Sequence, residues 1–170
     1  MSRQILLCVE TNSKARTDYQ YINETIHRFY VNDPKISYKP IFLESKSMYA
    51  SPKKQKEIGK YIKAYPEDTT VIYFIDLDDY DTNYETKKLF EDIKKYCETH
   101  AYELVFFCRD VEEVYLGKWV NDKDKVNEVK RFKSKKMIEA VLPQNLSQNE
   151  YKINGSNILN VLDKFWTRKN

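Results

Sequence analysis

The sequence predicts an α/β fold: a three-layer sandwich in which a mainly parallel, four-stranded central sheet carries helices on both faces. Three observations carry that expectation. Short runs of β-branched, aromatic and leucine residues alternate with longer segments whose apolar residues recur every three or four positions, the pattern of βαβ units. The run VIYFI at 71–75 is continuous rather than alternating in polarity, as suits a strand covered on both faces. The length of 170 residues, with 41% hydrophobic and 14% aromatic content, suits one domain spanning 1–170.

Taken in order, residues 4–9 (QILLCV) form the first strand, and Glu10 is the first residue beyond it. Tyr19, Ile22, Ile26, Phe29 and Tyr30 then predict a helix over 19–31, capped by Asp18 and stopped at Asn32-Asp33-Pro34. Residues 37–43 form the second strand, where Pro40 marks an edge position or a later start at Ile41. Ser51-Pro52 opens the next helix as cap and first-turn proline, and Pro66 closes it. After the strand at 71–75, Leu89, Phe90, Ile93, Tyr96 and Cys97 predict a helix over 84–99, and residues 102–108 return as a fourth strand. Val111, Val114, Tyr115 and Trp119 indicate a short helix against the sheet. A basic segment begins at about residue 118, and residues 153–166 predict a final helix packing through Ile158, Leu159, Leu162 and Phe165.

Composition removes several function classes. Only three glycines occur, too few and too scattered for a Walker A loop or a GxGxxG fingerprint, and neither GxSxG nor HExxH is present. The three cysteines have no metal-ligand spacing and only His27 and His100 to join them, so they read as reduced and buried rather than zinc-bound. The first apolar stretch, residues 5–9, is too short for a signal-peptide core or a membrane span, which predicts a cytoplasmic protein with no membrane partner. With 32% charged residues the net charge is only +3, so any surface for nucleic acid must be local.

The chemistry gathers where the strand at 71–75 ends. Asp76, Asp78, Asp79 and Asp81 follow it within six positions, and ligands of open α/β sheets bind outside the carboxyl ends of strands. Asp79 and Asp81 read as turn and cap residues. Asp76 and Asp78, two apart on extended backbone, can share a face; like charges so close raise a pKa or recruit a hard divalent cation. No cation lies between residues 71 and 81 to neutralise them. Glu10 closes the first strand, so neighbouring strands would bring all three carboxylates to one edge.

A Glu after the first strand and Asp-x-Asp after the third resembles the TOPRIM domain, and within that superfamily the RloB-like small proteins of bacterial restriction and defence loci. The matching stretches are CVET at 8–11, IDLD at 75–78 and RDVEEVY at 109–115. Thr11 stands where the family has glycine, and Arg109-Asp110 where it has Asn-Pro. The resemblance implies Glu10 as general acid or base or as a further metal contact, Asp76 and Asp78 as ligands of Mg²⁺ or Mn²⁺, and Glu113 as a further ligand; Glu113 also reads as a solvent-facing helix residue beside Glu112. It implies a metal-dependent nuclease or phosphotransfer enzyme acting on DNA or RNA. Lys118, Lys130, Arg131, Lys133, Lys135 and Lys136 would then supply phosphate contacts, although a solvated helix face explains them equally. The competing reading is a non-catalytic module binding nucleic acid, or a protein partner within a defence assembly.

Overall fold

The alternating patterns become four strands and six helices in a computed structural model that describes residues 1–170. The strands are β1 (Arg3–Val9), β2 (Ile36–Phe42), β3 (Asp68–Asp76) and β4 (Glu103–Phe107). The helices are α1 (Thr17–Phe29), α2 (Pro52–Ala64), α3 (Tyr84–Thr99), α4 (Val111–Leu116), α5 (Lys125–Ser134) and α6 (Ile158–Leu162). All strand pairings are parallel and the order is β2-β1-β3-β4. The two most apolar strands therefore lie side by side at the centre, with Val9 opposite Phe74.

Side-chain alternation along β1 divides the core between two faces. Ile5, Leu7 and Val9 join Ile72 and Phe74 of β3 in a cluster of 23 buried residues with α1, α4, α5 and α6. Leu6 and Cys8 join Val71, Tyr73 and Ile75 in a cluster of ten with α2 and α3. Burying each such aliphatic side chain contributes about 1.5–3 kcal/mol, so the central strands hold both helical layers to a common frame. The sheet is thus the middle of the three expected layers. The thiols of Cys8, Cys97 and Cys108 are free and buried, and burial holds that of Cys8 well above its ordinary pKa. No helix is long and apolar enough to cross a membrane.

Local chemistry accounts for most element ends. Ser51 Oγ accepts from Lys54 N at 3.3 Å, and Asn83 Oδ1 accepts from Glu85 N and Thr86 N at the start of α3. Pro40 sits opposite Leu7 in β2, an edge strand where a missing N–H is tolerated. Three boundaries differ from expectation. The short helix α4 ends at Leu116 because Gly117 turns the chain at φ 70°, so Trp119 lies outside it and is 68% exposed instead of packing on the sheet. Asp18 does not cap α1: the helix begins at Thr17 after Arg16 turns at φ 54°, which carries Asp18 inside the first turn, 6% exposed.

The C-terminal helix is only Ile158–Leu162 instead of 153–166. Residues 155–157 run along the open edge of β4, where Ser156 bridges Phe107 and Cys108 N donates to Gly155 O at 3.0 Å. Asn157 completes the cover, accepting from Phe106 N at 2.9 Å and donating to Leu104 O at 3.0 Å. An edge strand left bare invites pairing with other chains, and this segment satisfies it before the helix can start. A Cβ at Gly155 would lie 2.8 Å from Lys152 O, so only glycine fits.

Candidate functional site

Because β1 and β3 are neighbours and parallel, they end at one edge. Glu10, the residue after β1, turns its side chain onto β3, where its Oε2 accepts from Asp76 N. Asp76 Oδ1 accepts in turn from Val111 N, at 3.1 Å. Burial pushes the Glu10 carboxyl up to about 8, against the pull of Lys46 and the Asp76 N–H, with Asp18 and Asp78 adding repulsion. Burial likewise holds Asp76 well above the usual carboxylate range, and Glu10, Asp18, Glu112 and Asp110 repel it further. Two acids that are costly to ionise therefore meet at the sheet edge.

Asp78 has different surroundings. The alternation of the strand ends at Asp76, and Asp78 adopts φ 47°, a left-handed conformation that Asp tolerates, while its N–H donates to Arg109 O at 2.6 Å. Its exposed carboxylate pairs with Lys46, whose ammonium also donates to Asp76 O at 2.9 Å. Lys46 opens a 3-10 turn after β2 that Ser45 caps. Burial lowers the pKa of Lys46, but Glu10, Asp78 and Asp76 outweigh that and hold it above its ordinary value. The cation missing from residues 71–81 thus arrives from far upstream in the chain. Parallel topology brings the loop after every strand to the same edge, and β2 precedes Lys46 as β3 precedes Asp78.

Behind this pair lies a second acidic group that sequence reasoning missed. Glu112 is fully buried and neither of its carboxylate oxygens has a hydrogen bond; Lys125 Nζ, from the start of α5, stands 3.4 Å away. Burial pushes Glu112 up to about 7 against the attraction of Lys125. Asp18 is raised to about 6 by burial, again opposed by Lys125 and reinforced by Asp110. Asp110 caps α4, accepting from Glu113 N at 2.9 Å. The signal in the sequence was helical: a cap at Asp110 turns Val111, Glu112, Val114 and Tyr115 to the interior, and the charge of Glu112 hides its place in that stripe.

Glu113 faces an open cleft of about 410 Å³ shared with Asp78, Asp81, Arg109 and Trp119, and Arg109 approaches its carboxylate at 4.0 Å. It is therefore beside Asp78 and not on a solvent-facing surface of α4. Asp79 has the expected turn role, accepting from Asn83 Nδ2 at 3.0 Å and Thr86 Oγ1 at 2.6 Å, which hold its carboxyl below the usual range.

The basic segment divides. Lys118 and Arg131 each reach Glu128 at 3.5 Å, and Lys133 Nζ donates to Gln20 Oε1 at 3.1 Å in the first turn of α1. Lys130, Lys135 and Lys136 are exposed and form no ion pair. The link from this segment to the carboxylates is Lys125.

As the side chains stand, no three Asp, Glu, His or Cys residues are arranged to hold a metal ion. The ammonium groups of Lys46 and Lys125 balance part of the acidic charge instead. Comparison with protein-family models, with curated proteins and with solved structures found no match to this chain.

Proposed function

We propose that this is a metal-dependent enzyme of phosphodiester hydrolysis or transfer on DNA or RNA, a TOPRIM protein of the RloB-like kind serving a bacterial defence system in the cytoplasm. The observation that supports it most is the pairing of β1 with β3, which sets Glu10 against the residues leaving β3. The donor chemistry fits Mg²⁺ or Mn²⁺: carboxylate oxygens only, crowded enough that burial and mutual repulsion disfavour their bare charge. Asp76 and Asp78 would hold the ion, with Glu113 a further ligand. Bound there, a divalent ion stabilises charge on a phosphodiester and lowers the pKa of a water. Glu10 gives or takes a proton at its carboxylate. Lys46, released from Asp78, and exposed Arg109 meet phosphate oxygens, and the strand runs on across Lys118, Lys130, Arg131, Lys133, Lys135 and Lys136.

Titration calorimetry tests the ion site. The wild type is expected to bind Mn²⁺, whereas Asp76→Asn and Asp78→Asn reduce the affinity by a factor of about ten or more while their thermal unfolding stays cooperative; unchanged affinity in both variants sinks the assignment. The basic segment has its own readout. Changing Lys130, Arg131 and Lys133 to Gln should flatten the dependence of log affinity on log salt by roughly 0.7–0.9 for each phosphate no longer neutralised, measured by anisotropy with labelled strands. An unaltered slope would confine the segment to a solvated helix face.

The internal neutralisation of the carboxylates by Lys46 and Lys125 favours a second reading, a non-catalytic module that binds nucleic acid or a protein partner. That reading expects no Mn²⁺ affinity in the wild type and undiminished partner binding in the aspartate variants.

A further inference from the structure

The turn from Leu77 to Asp81 separates two hollows. Asp78, Asp79 and Asp81 line the carboxylate cleft, while Leu77 and Tyr80 line a cavity of about 480 Å³ on the other side. Its remaining apolar walls are Phe90, Cys97, Tyr102, Leu104, Phe106 and Tyr151. Tyr80 and Tyr151 stack with ring centroids 5.7 Å apart at 20°, and Phe90 meets Tyr80 edge-on at 5.7 Å. Tyr151 links the two hollows. Its ring lines the cavity, while its buried hydroxyl lies beside Arg109 and Asp81 of the cleft.

The volume falls in the range of small-ligand pockets, about 300–1,000 Å³. Charge narrows the occupant. Glu91, Glu98 and Glu150 stand on the rim against Lys94, so a phosphate is repelled, whereas a neutral flat ring bearing amino groups finds aromatic faces to stack on and carboxylates to accept its hydrogens. We propose that this cavity takes one unpaired nucleobase of the strand whose phosphate lies at Arg109 and the carboxylate edge. The inference rests on the phosphodiester reading above and adds the substrate class: single-stranded nucleic acid. A duplex cannot offer a base to the Tyr80–Tyr151 stack without first unstacking it, at a cost that weakens its binding.

The test compares three labelled DNA probes by fluorescence anisotropy at low salt, in Mg²⁺ and again in EDTA. These are a short single strand, an abasic strand with the same phosphates, and the duplex of the first. The base-bearing strand is expected to bind about tenfold more tightly than the abasic strand, and the duplex no more tightly than the abasic one. Tyr151→Leu and Tyr80→Leu, which keep apolar bulk but remove the stacking face, should erase that preference while leaving abasic binding as it was. Equal affinity for the base-bearing and abasic strands overturns the pocket, as does failure of every probe to bind or an undiminished preference in both tyrosine variants. Because the abasic comparison is made on the wild type, it decides the matter even if neither variant folds. Absence of Mn²⁺ binding in calorimetry with the base preference intact overturns the enzyme and leaves the pocket standing; the reverse result does the opposite.

Discussion

In EDTA, the protein is expected to be most stable near pH 5 and to lose about 3 kcal/mol of stability by pH 8, a fall in Tm of roughly 6–12 °C for a chain of this size. The sign follows from which state holds more protons. Glu10 is raised to about 8, Glu112 to about 7 and Asp18 to about 6, and Asp76 stands well above its ordinary value, so in this interval the folded chain keeps protons that the unfolded chain has released. Stability then falls as pH rises, by about 1.4 kcal/mol per pH unit for each group still differing between the two states. Because these carboxyls repel one another, each raising the next, their shifts are shared rather than additive, and that coupling together with entry of water keeps the sum below the simple total. Asp79 and Asp163, whose carboxyls are depressed by hydrogen bonds and by Arg168, contribute stability that is complete above their unfolded values and lost in acid, which sets the other side of the maximum.

Glu10→Gln isolates one of these effects. Glutamine can still accept from Asp76 N through its amide oxygen, so the variant should show a shallower pH dependence between about pH 6 and 8, with Glu112 and Asp76 supplying what is left, and melt higher than the wild type at the upper end. Differential scanning calorimetry at closely spaced pH steps measures both. A wild-type profile flat over this interval would mean that water reaches the edge and that the carboxylates ionise at ordinary values.

The sheet was legible because burial on two faces demands continuous apolar runs, and VIYFI and ILLCV cannot be explained otherwise. The start of α2 was legible because Ser51 caps it just ahead of Pro52. The order β2-β1-β3-β4 was not, since four parallel strands admit several orders and the pattern along each strand is the same in all of them. Glu10 and Asp76 could therefore be named as strand-end acids, but their contact could not be derived. Lys46 and Lys125 were invisible for a related reason: each comes from a segment remote in sequence, and only topology makes it a neighbour. Residues 153–166 misled through their helical periodicity, because the open edge of β4 took residues 155–157 as its cover.

Lys125 carries the largest expected cost of any single substitution at the edge. Replacing it with Met keeps the stem that packs at the start of α5 but leaves Glu112, fully buried and without a hydrogen bond, with no counter-charge. Breaking a buried pair in this way costs about 3–5 kcal/mol, and the lower end applies here because the Lys125 side chain is 25% exposed and Glu112 can escape by taking a proton. The destabilisation should accordingly be about 3 kcal/mol at pH 8 and shrink below pH 7, where Glu112 is neutral in the folded protein. The double variant Glu112→Leu with Lys125→Met removes charge from both partners, and since the glutamate oxygens make no hydrogen bond, none is given up. It should recover the stability of the wild type or exceed it. Urea denaturation of the single and double variants on either side of neutral pH reads out all three expectations. If the double variant is as unstable as Lys125→Met alone, the ammonium matters chiefly to Asp18, Asp110 and Asp76 and not to Glu112, and the pair would then have to be treated as one part of a larger charge network.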